Sequence, residues 1–435
     1  MLKKKNIFFN KSFLIYGLGK SGVSSFFFLK KNNKVDAYDD NKVTINKKIK
    51  KSVINLKDVN KKNYDFIVIS PGIDIKKCKL KSYLKKNLTK IVTDLDVFYS
   101  KYGNNKNITI TGTNGKSTCA QLIYNILKDH KRDVRLVGNI GNPVLSERNI
   151  SLKTIFVIEA SSYQIEYSKF FKAKYAAILN ITPDHLERHG NFNNYAKAKF
   201  KLIQNQKKSF SFVELNNPHI NKLVKKIKLN SKIIKIKKNP IIDKINYIKN
   251  SFFLTKGNIQ NLSFALSIIK KLKLNEKKTF KTINKFKGLK FRQEIIFKSK
   301  NLTVINDSKA TSFSSSENIL KSLKNVYWIL GGIPKKGDKF QMRKKECNSF
   351  KAYIFGKNKS FFIKNLRNKL EIEYFKNLNS ALKKVINDVG LSKSTLNHKT
   401  ILFSPSGASF DSYRNFEDRG ENFNKLFKKI DLRKI

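Results

Sequence analysis

The sequence predicts an α/β fold divided into three domains, and three stretches carry that expectation. Residues 108–120, ITITGTNGKSTCA, run from a β-branched strand through a glycine turn into an apolar helix. Residues 13–40 use the same strand–turn–helix order and add a second strand ending on Asp39-Asp40. Further apolar runs at 302–306, 326–330, 352–355 and 400–403 read as strands of another unit. Strands alternating with helices imply parallel sheets. At 435 residues and 40% hydrophobic content the chain exceeds one core and suffices for several. The boundaries are placed at 1–95, 96–291 and 292–435.

In the first domain, strand 13–16 leads into Gly17-Leu18-Gly19-Lys20-Ser21-Gly22 and a helix over 23–31. A second strand, 35–38, ends at Asp39-Asp40, about 20 residues past the first glycine, which completes a GxGxxG fingerprint. The pattern points to a diphosphate-bearing nucleotide and does not single out NAD. Strand 66–70 then runs into Ser70-Pro71-Gly72-Ile73, and a helix-to-strand segment reaches Val92.

The second domain opens on the phosphate loop. Backbone amides of Gly112, Thr113, Asn114 and Gly115 would surround phosphates, and Lys116 would supply a charge near them. A hydroxyl of Ser117 or Thr118 would reach Mg²⁺. The full GxxxxGK[ST] pattern wants a glycine where Ile110 stands, so the match is partial, but an ATP-type site is expected. Residues 137–143 form a tight loop in which Asn139 could touch an anion. Strand 154–158 delivers Glu159 where a Walker-type carboxylate holds Mg²⁺, followed by Ser161. Strand 176–180 leads to Asp184, His185, Glu187, Arg188 and His189, a polar cluster at the ligand edge of such a sheet. Helix 195–202 carries Lys197, Lys199 and Lys201, which by themselves read as a solvated basic face. Strands such as 232–236 finish the sheet, 262–272 is helical, and 288–294 reads as a hinge.

In the third domain, three strands end in polar clusters: 306–311, 331–338 and 404–409. Strand ends of one parallel sheet share an edge, so these clusters converge on one crevice.

The formal charge of +60 would suit a polyanion, yet the lysines are spread through every segment among Asn, Ile and Phe. No nucleic-acid partner is expected, because no basic stripe with interleaved aromatics is present. The 3 cysteines lie far apart, with no CxxC pair, so neither a disulfide framework nor a zinc site is indicated, and a reducing, cytoplasmic compartment fits. The apolar run near the N-terminus is broken by Asn10-Lys11-Ser12, unlike a signal peptide, and no run approaches the roughly 20 residues of a membrane span.

Taken together, these motifs resemble the Mur ligases over essentially the whole chain. TGTNGKST alone would also admit folylpolyglutamate synthetases. GLGKSG with SPGI, NDSKAT, and SPSGASFDSYRNFEDRG narrow the resemblance to the branch that adds D-glutamate to UDP-N-acetylmuramoyl-L-alanine in peptidoglycan precursor synthesis. A sister ligase adding a different amino acid is the alternative. The resemblance implies a Rossmann-like UDP-binding domain, a central ATPase domain and a Rossmann-like C-terminal domain that takes the amino acid. It also implies the use of ATP and Mg²⁺ through an acyl-phosphate intermediate, and a monomer is expected.

Residue by residue, the resemblance assigns the uridine diphosphate to Gly17, Gly19, Ser21, Gly22, Asp39, Asp40, Ser70 and Gly72. Asn139 and Ser161 would contact the same substrate. Lys116 would hold ATP phosphates, with Ser117 or Thr118 and Glu159 on the first Mg²⁺. His185 and Lys199, the latter as a carbamate, would serve a second Mg²⁺. Asn258, Arg292 and Asp307 would line the ATP side. Lys309, Thr311, Lys336, Ser409 and Phe416 would lie near the acyl group or the D-glutamate. Lys335 competes with Lys336 on sequence alone. The chain departs from the family pattern at Gly257, where a histidine is expected, at Glu187 in place of Asp, and at Ser312 in place of Asn.

Overall fold

The computed structural model describes residues 7–41, 47–206, 209–215, 217–227, 229–237, 246–254, 256–391 and 398–430. Among these residues the strands form three sheets.

The first sheet contains β1 (Ser12–Tyr16), β2 (Lys34–Tyr38), β3 (Phe66–Ile69) and β4 (Ile91–Val92), all parallel in the order β2-β1-β3-β4. Phe13, Leu14, Ile15 and Tyr16 are all fully buried, because helices cover both faces and a parallel strand then reads as one apolar run. The strand order reverses between β1 and β3, which opens a crevice at their C-terminal ends.

The second sheet contains β5 (Asn107–Thr111), β6 (Val134–Gly138), β7 (Ile155–Glu159), β8 (Tyr175–Ile178), β9 (Phe210–Glu214) and β10 (Lys232–Ile236). Its order is β10-β9-β8-β5-β7-β6, again parallel throughout. Here the reversal flanks β5, whose neighbours are β7 and β8. The residues that directly follow β5, β7 and β8 are thereby delivered to one edge.

Both sheets lie in one compact unit, Met1–Ile181, Arg188–Asp243 and Asn261–Ile283. A buried carboxylate joins their elements. Asp96, in helix Asp94–Tyr102, closes a capping box with Thr93 through Oδ2. Its Oδ1 accepts from Ser168 Oγ (2.8 Å) and from the amides of Lys169 (2.9 Å), Phe170 (2.7 Å) and Phe171 (3.1 Å). Asp96→Ala orphans those amides in the interior, and we expect it to cost about 3 kcal/mol of stability. A denaturant midpoint unchanged from wild type would contradict this.

The second unit comprises Thr182–Glu187, Lys244–Gln260 and Asn284–Ile435. Its sheet contains β11 (Glu294–Lys298), β12 (Leu302–Asn306), β13 (Val326–Gly331), β14 (Phe350–Phe355), β15 (Glu371–Phe375) and β16 (Lys399–Ser406). The order is β11-β12-β16-β13-β14-β15, with only β11 antiparallel. The expected hinge at 288–294 is therefore corrected at its end, since Glu294 already opens an edge strand. Successive residues of β13 serve opposite faces: Trp328 packs with Phe313 and Leu402, Ile329 with Tyr353 and Phe403. β12, β16 and β13 are adjacent and parallel, so the three polar clusters do leave one edge side by side.

No helix among the described residues is long and apolar enough to cross a membrane.

Candidate active site

The first glycine turn is built by close approach. Gly17 takes φ +90°, and its carbonyl accepts from Ser70 Oγ at 2.6 Å. A Cβ on Gly22 would fall 1.8 Å from that same carbonyl oxygen, so only glycine lets helix Lys20–Leu29 start this close to β1. Asp39 Oδ2 accepts the Leu18 amide at 2.6 Å, which ties the end of β2 to the turn. Asp40 accepts from the Tyr16 hydroxyl at 2.9 Å. Gly19 caps the helix and presents its unpaired amides, a place for an anion. Gly72 follows on the same edge, and Ser21 lies in the first turn of the helix.

Ser21 has a further link. It neighbours the fully buried Asp94, whose carboxyl burial pushes up to about 6. Gln164 Nε2 lies 3.3 Å from Asp94 Oδ2, and Gln164 Oε1 accepts from the Ser161 amide at 3.1 Å. A hydrogen-bonded chain thus runs from Asp94 to the segment just after Glu159.

The phosphate loop follows β5. Gly115 has φ +82° and caps helix Lys116–Asp129, and a Cβ there would sit 2.1 Å from Asn261 Oδ1. Asn180, just past β8, fastens the loop: its Oδ1 accepts from the amides of Thr113 (3.1 Å) and Asn114 (2.8 Å). Thr113 Oγ1 also lies 3.0 Å from the Tyr195 hydroxyl. Sequence reasoning gave no role to Asn180, Tyr195 or Asn261. Their only signal was a polar residue at a strand end or on an otherwise apolar helix.

Glu159 ends β7 opposite Ile110 of β5 and is buried. Ser117 Oγ donates to its Oε2 at 2.6 Å, and Asn139 Nδ2 to its Oε1 at 3.0 Å. A carboxylate with an adjacent hydroxyl is the hard-oxygen donor set a divalent cation takes, so these residues fit Mg²⁺. Ser117 is the hydroxyl in contact, which separates it from Thr118. Among the described residues no group of three or more His, Cys, Asp or Glu forms a fuller cage.

Two lysines meet at one oxygen. Lys116 Nζ donates to the Gly112 carbonyl at 3.0 Å and to that of Thr113 at 2.8 Å. Lys199 Nζ donates to the same Gly112 carbonyl at 2.7 Å, and lies 4.7 Å from the Tyr195 ring centre. Lys199 is 2% exposed, while Lys197 is exposed, so helix Phe192–Gln204 turns one lysine inward. The plain basic face is corrected further by Lys201, which is half-buried and donates to the Glu166 carbonyl at 2.8 Å. His189 is buried too, with Nε2 3.0 Å from Ser162 Oγ.

In the second unit, His185 has φ +54°, with Nε2 3.4 Å from Asp184 and Nδ1 3.6 Å from Glu187. His185 and Lys199 thus fall in different units. Asp184 also takes Lys335 Nζ at 2.5 Å, whereas Lys336 is exposed. Asn258 Nδ2 donates to Gln293 Oε1 at 3.2 Å, and the Gln293 amide to Asp307 Oδ1 at 3.1 Å. Arg292 adds its charge near Asp307, whose carboxyl burial pushes up to about 7. These three are therefore gathered around Gln293, which sequence reasoning had not singled out. Lys309 Nζ lies 3.9 Å from the Phe416 ring centre, and Ser409 is buried at the end of the β16 cluster. Thr311 follows on the β12 loop, half-buried.

Comparison with known proteins gives a consistent result. The profile of the Mur ligase middle domain matches residues 110–277. A Rickettsia felis protein named UDP-N-acetylmuramoylalanine–D-glutamate ligase is 34% identical, covering 95% of this chain and 96% of its own length. A Buchnera aphidicola protein of the same name is 34% identical over 97% of this chain and 99% of its own. Among solved structures, MurF from Acinetobacter baumannii superposes with TM-score 0.60 at 15% identity, covering 96% of this chain and 90% of that one. MurF from Thermotoga maritima in complex with ADP gives TM-score 0.57 at 14% identity, covering 99% and 98%.

Proposed function

The chain belongs to the Mur ligase family, and from that premise we infer that it is the ligase that joins D-glutamate to UDP-N-acetylmuramoyl-L-alanine. The reaction consumes ATP and serves peptidoglycan precursor synthesis. The D-glutamate assignment is supported by relatives of that name matched along nearly their whole length. The ligase chemistry rests above all on one observation: Lys116 and Lys199 converge on the Gly112 carbonyl at a helix N-terminus. Positive charge gathered at a helix N-terminus is the setting in which a polyphosphate binds.

In this reading the loop amides and Lys116 hold the ATP phosphates. The substrate carboxylate takes the γ-phosphoryl group and becomes an acyl phosphate, and ADP leaves. The amine of D-glutamate then attacks the acyl carbon, and phosphate departs as the amide forms. Ser117 and Glu159 would hold Mg²⁺, with Thr118 beside them. The cation would neutralise phosphate charge during transfer. Lys199 is buried beside Lys116, and by resemblance to the family it would carry a carbamate. Such a carbamate would offer anionic oxygens suited to a second Mg²⁺, and the family resemblance gives His185 a metal-binding role as well. Asn258, Arg292 and Asp307 form the ATP side. The GxGxxG turn with Asp39, Asp40, Ser70 and Gly72 takes the uridine diphosphate, and Asn139 and Ser161 its phosphate or sugar portion. We assign these roles to domains 1–95, 96–291 and 292–435, acting as a cytoplasmic monomer.

Lys309, Thr311, Lys336, Ser409 and Phe416 form the amino-acid pocket. Pairing of Lys335 with Asp184 supports Lys336 as the lysine that meets a D-glutamate carboxylate. A site built on such donors discriminates strongly, since a ligand lacking the acid leaves them unpaired. Lys336→Ala is therefore expected to raise KM for D-glutamate about tenfold or more, with KM for ATP and the UDP-sugar little changed. An unchanged KM for D-glutamate would remove this loop from the pocket.

A further inference from the structure

Arg419 is fully buried in the second unit, in the first turn of helix Phe416–Lys428. Each nitrogen of its guanidinium donates to a strand-end loop. Nε reaches Ser308 Oγ (3.2 Å), one terminal nitrogen the Ser308 carbonyl (2.7 Å), and the other the Gly407 carbonyl (2.9 Å). The fork also presses on a third loop, because a Cβ on Gly332 would fall 2.9 Å from it. One side chain therefore fastens the loops after β12 and β16 and packs against the loop after β13.

Its charge is the unusual part. Buried arginines are normally paired with a carboxylate, and removing such a group from water is costly otherwise. No carboxylate among the described residues lies within ion-pair distance of Arg419, and burial pushes it down to about 10, with Asp411 and Asp307 offsetting this only from further away. All of its direct partners are neutral oxygens. The same helix turn is fixed to the same loop from the other side, where Ser308 Oγ donates to the Phe416 carbonyl at 2.8 Å and Lys309 lies over the Phe416 ring.

We propose that Arg419 is a positioning residue for the incoming dicarboxylate: it locks the loops that bear Lys309 and Ser409, packs against the loop that bears Lys336, and adds a positive charge that no directly bonded carboxylate neutralises and that the anionic amino acid completes. This rests on the D-glutamate ligase reading above. It goes beyond it in giving specificity to a residue that touches no substrate.

The test is a set of KM values for wild type, Arg419→Met and Arg419→Lys in the full-length protein. Met removes both fork and charge, and is expected to raise KM for D-glutamate at least tenfold. Lys keeps the charge but loses the fork, and should raise it about threefold. KM for ATP and for UDP-N-acetylmuramoyl-L-alanine should stay within about twofold in both. If Arg419→Met proves insoluble, the selective rise in Arg419→Lys carries the test alone. Equal changes in all three KM values, or a lower melting temperature with none changed, would overturn the proposal and leave a purely structural arginine. A wild-type protein that releases no phosphate with D-glutamate would instead overturn the ligase reading, and this inference with it.

Discussion

Lys116→Ala is expected to abolish turnover in a protein that still folds. In the structure the ammonium rests on the carbonyls of Gly112 and Thr113, so it is already placed where phosphate charge would develop. A preorganised donor of this kind is worth on the order of 3–4 kcal/mol in the transition state, roughly 10²–10³ in rate. The half-buried side chain supports no core, so the melting temperature should move little. Phosphate release near the wild-type rate from well-folded Lys116→Ala would refute the nucleotide site.

The second large effect concerns Lys199. As a metal-ligating carbamate its loss should match that of Lys116, whereas exposed Lys197→Ala should be nearly silent. A small carboxylate added to Lys199→Ala should restore part of the activity, because the vacated volume lies beside Gly112 and the anion supplies the missing oxygens. Rescue separates a ligand from a packing role, since packing would respond to the size of the additive and not to its charge. Loss without rescue by any carboxylate, together with full activity of Lys199→Met, would contradict the carbamate. Lys201→Ala is a different control: its contact with the Glu166 carbonyl makes it structural, and it should lower stability before activity.

Much of this arrangement was legible in the sequence, for a definite reason. Parallel strands buried on both faces must be apolar runs, so Phe13–Tyr16, Ile108–Thr111 and Val326–Leu330 announce themselves, and the polar residue that ends each run faces the ligand edge. Hence the positions of Gly17 and Gly112 just past a strand, and of Glu159 at the end of the apolar run 155–158, are legible from local pattern alone. β11 and β15 were not. Both are edge strands with exposed or half-buried alternation, and EIIFK and EIEYF look like any amphipathic segment. Long-range polar contacts were equally hidden. Asp96 reads as a helix-capping acid, and nothing local reveals that residues 168–171 will close on it. Arg419 sits in a polar tail, RNFEDRG, where exposure is the natural expectation, and only the folded sheet shows that β12 and β16 bring Ser308 and Gly407 to its fork. Lys199 was separated from Lys197 and Lys201 by resemblance, and the helix phase that buries it explains the choice.

The central claim is that this chain couples ATP cleavage to D-glutamate and to no other amino acid. It is tested most directly by phosphate release from ATP and Mg²⁺ with UDP-N-acetylmuramoyl-L-alanine against a panel of amino acids. The account predicts release only when the UDP-sugar and D-glutamate are both present. Turnover with another amino acid and none with D-glutamate would make the chain a sister ligase and contradict it.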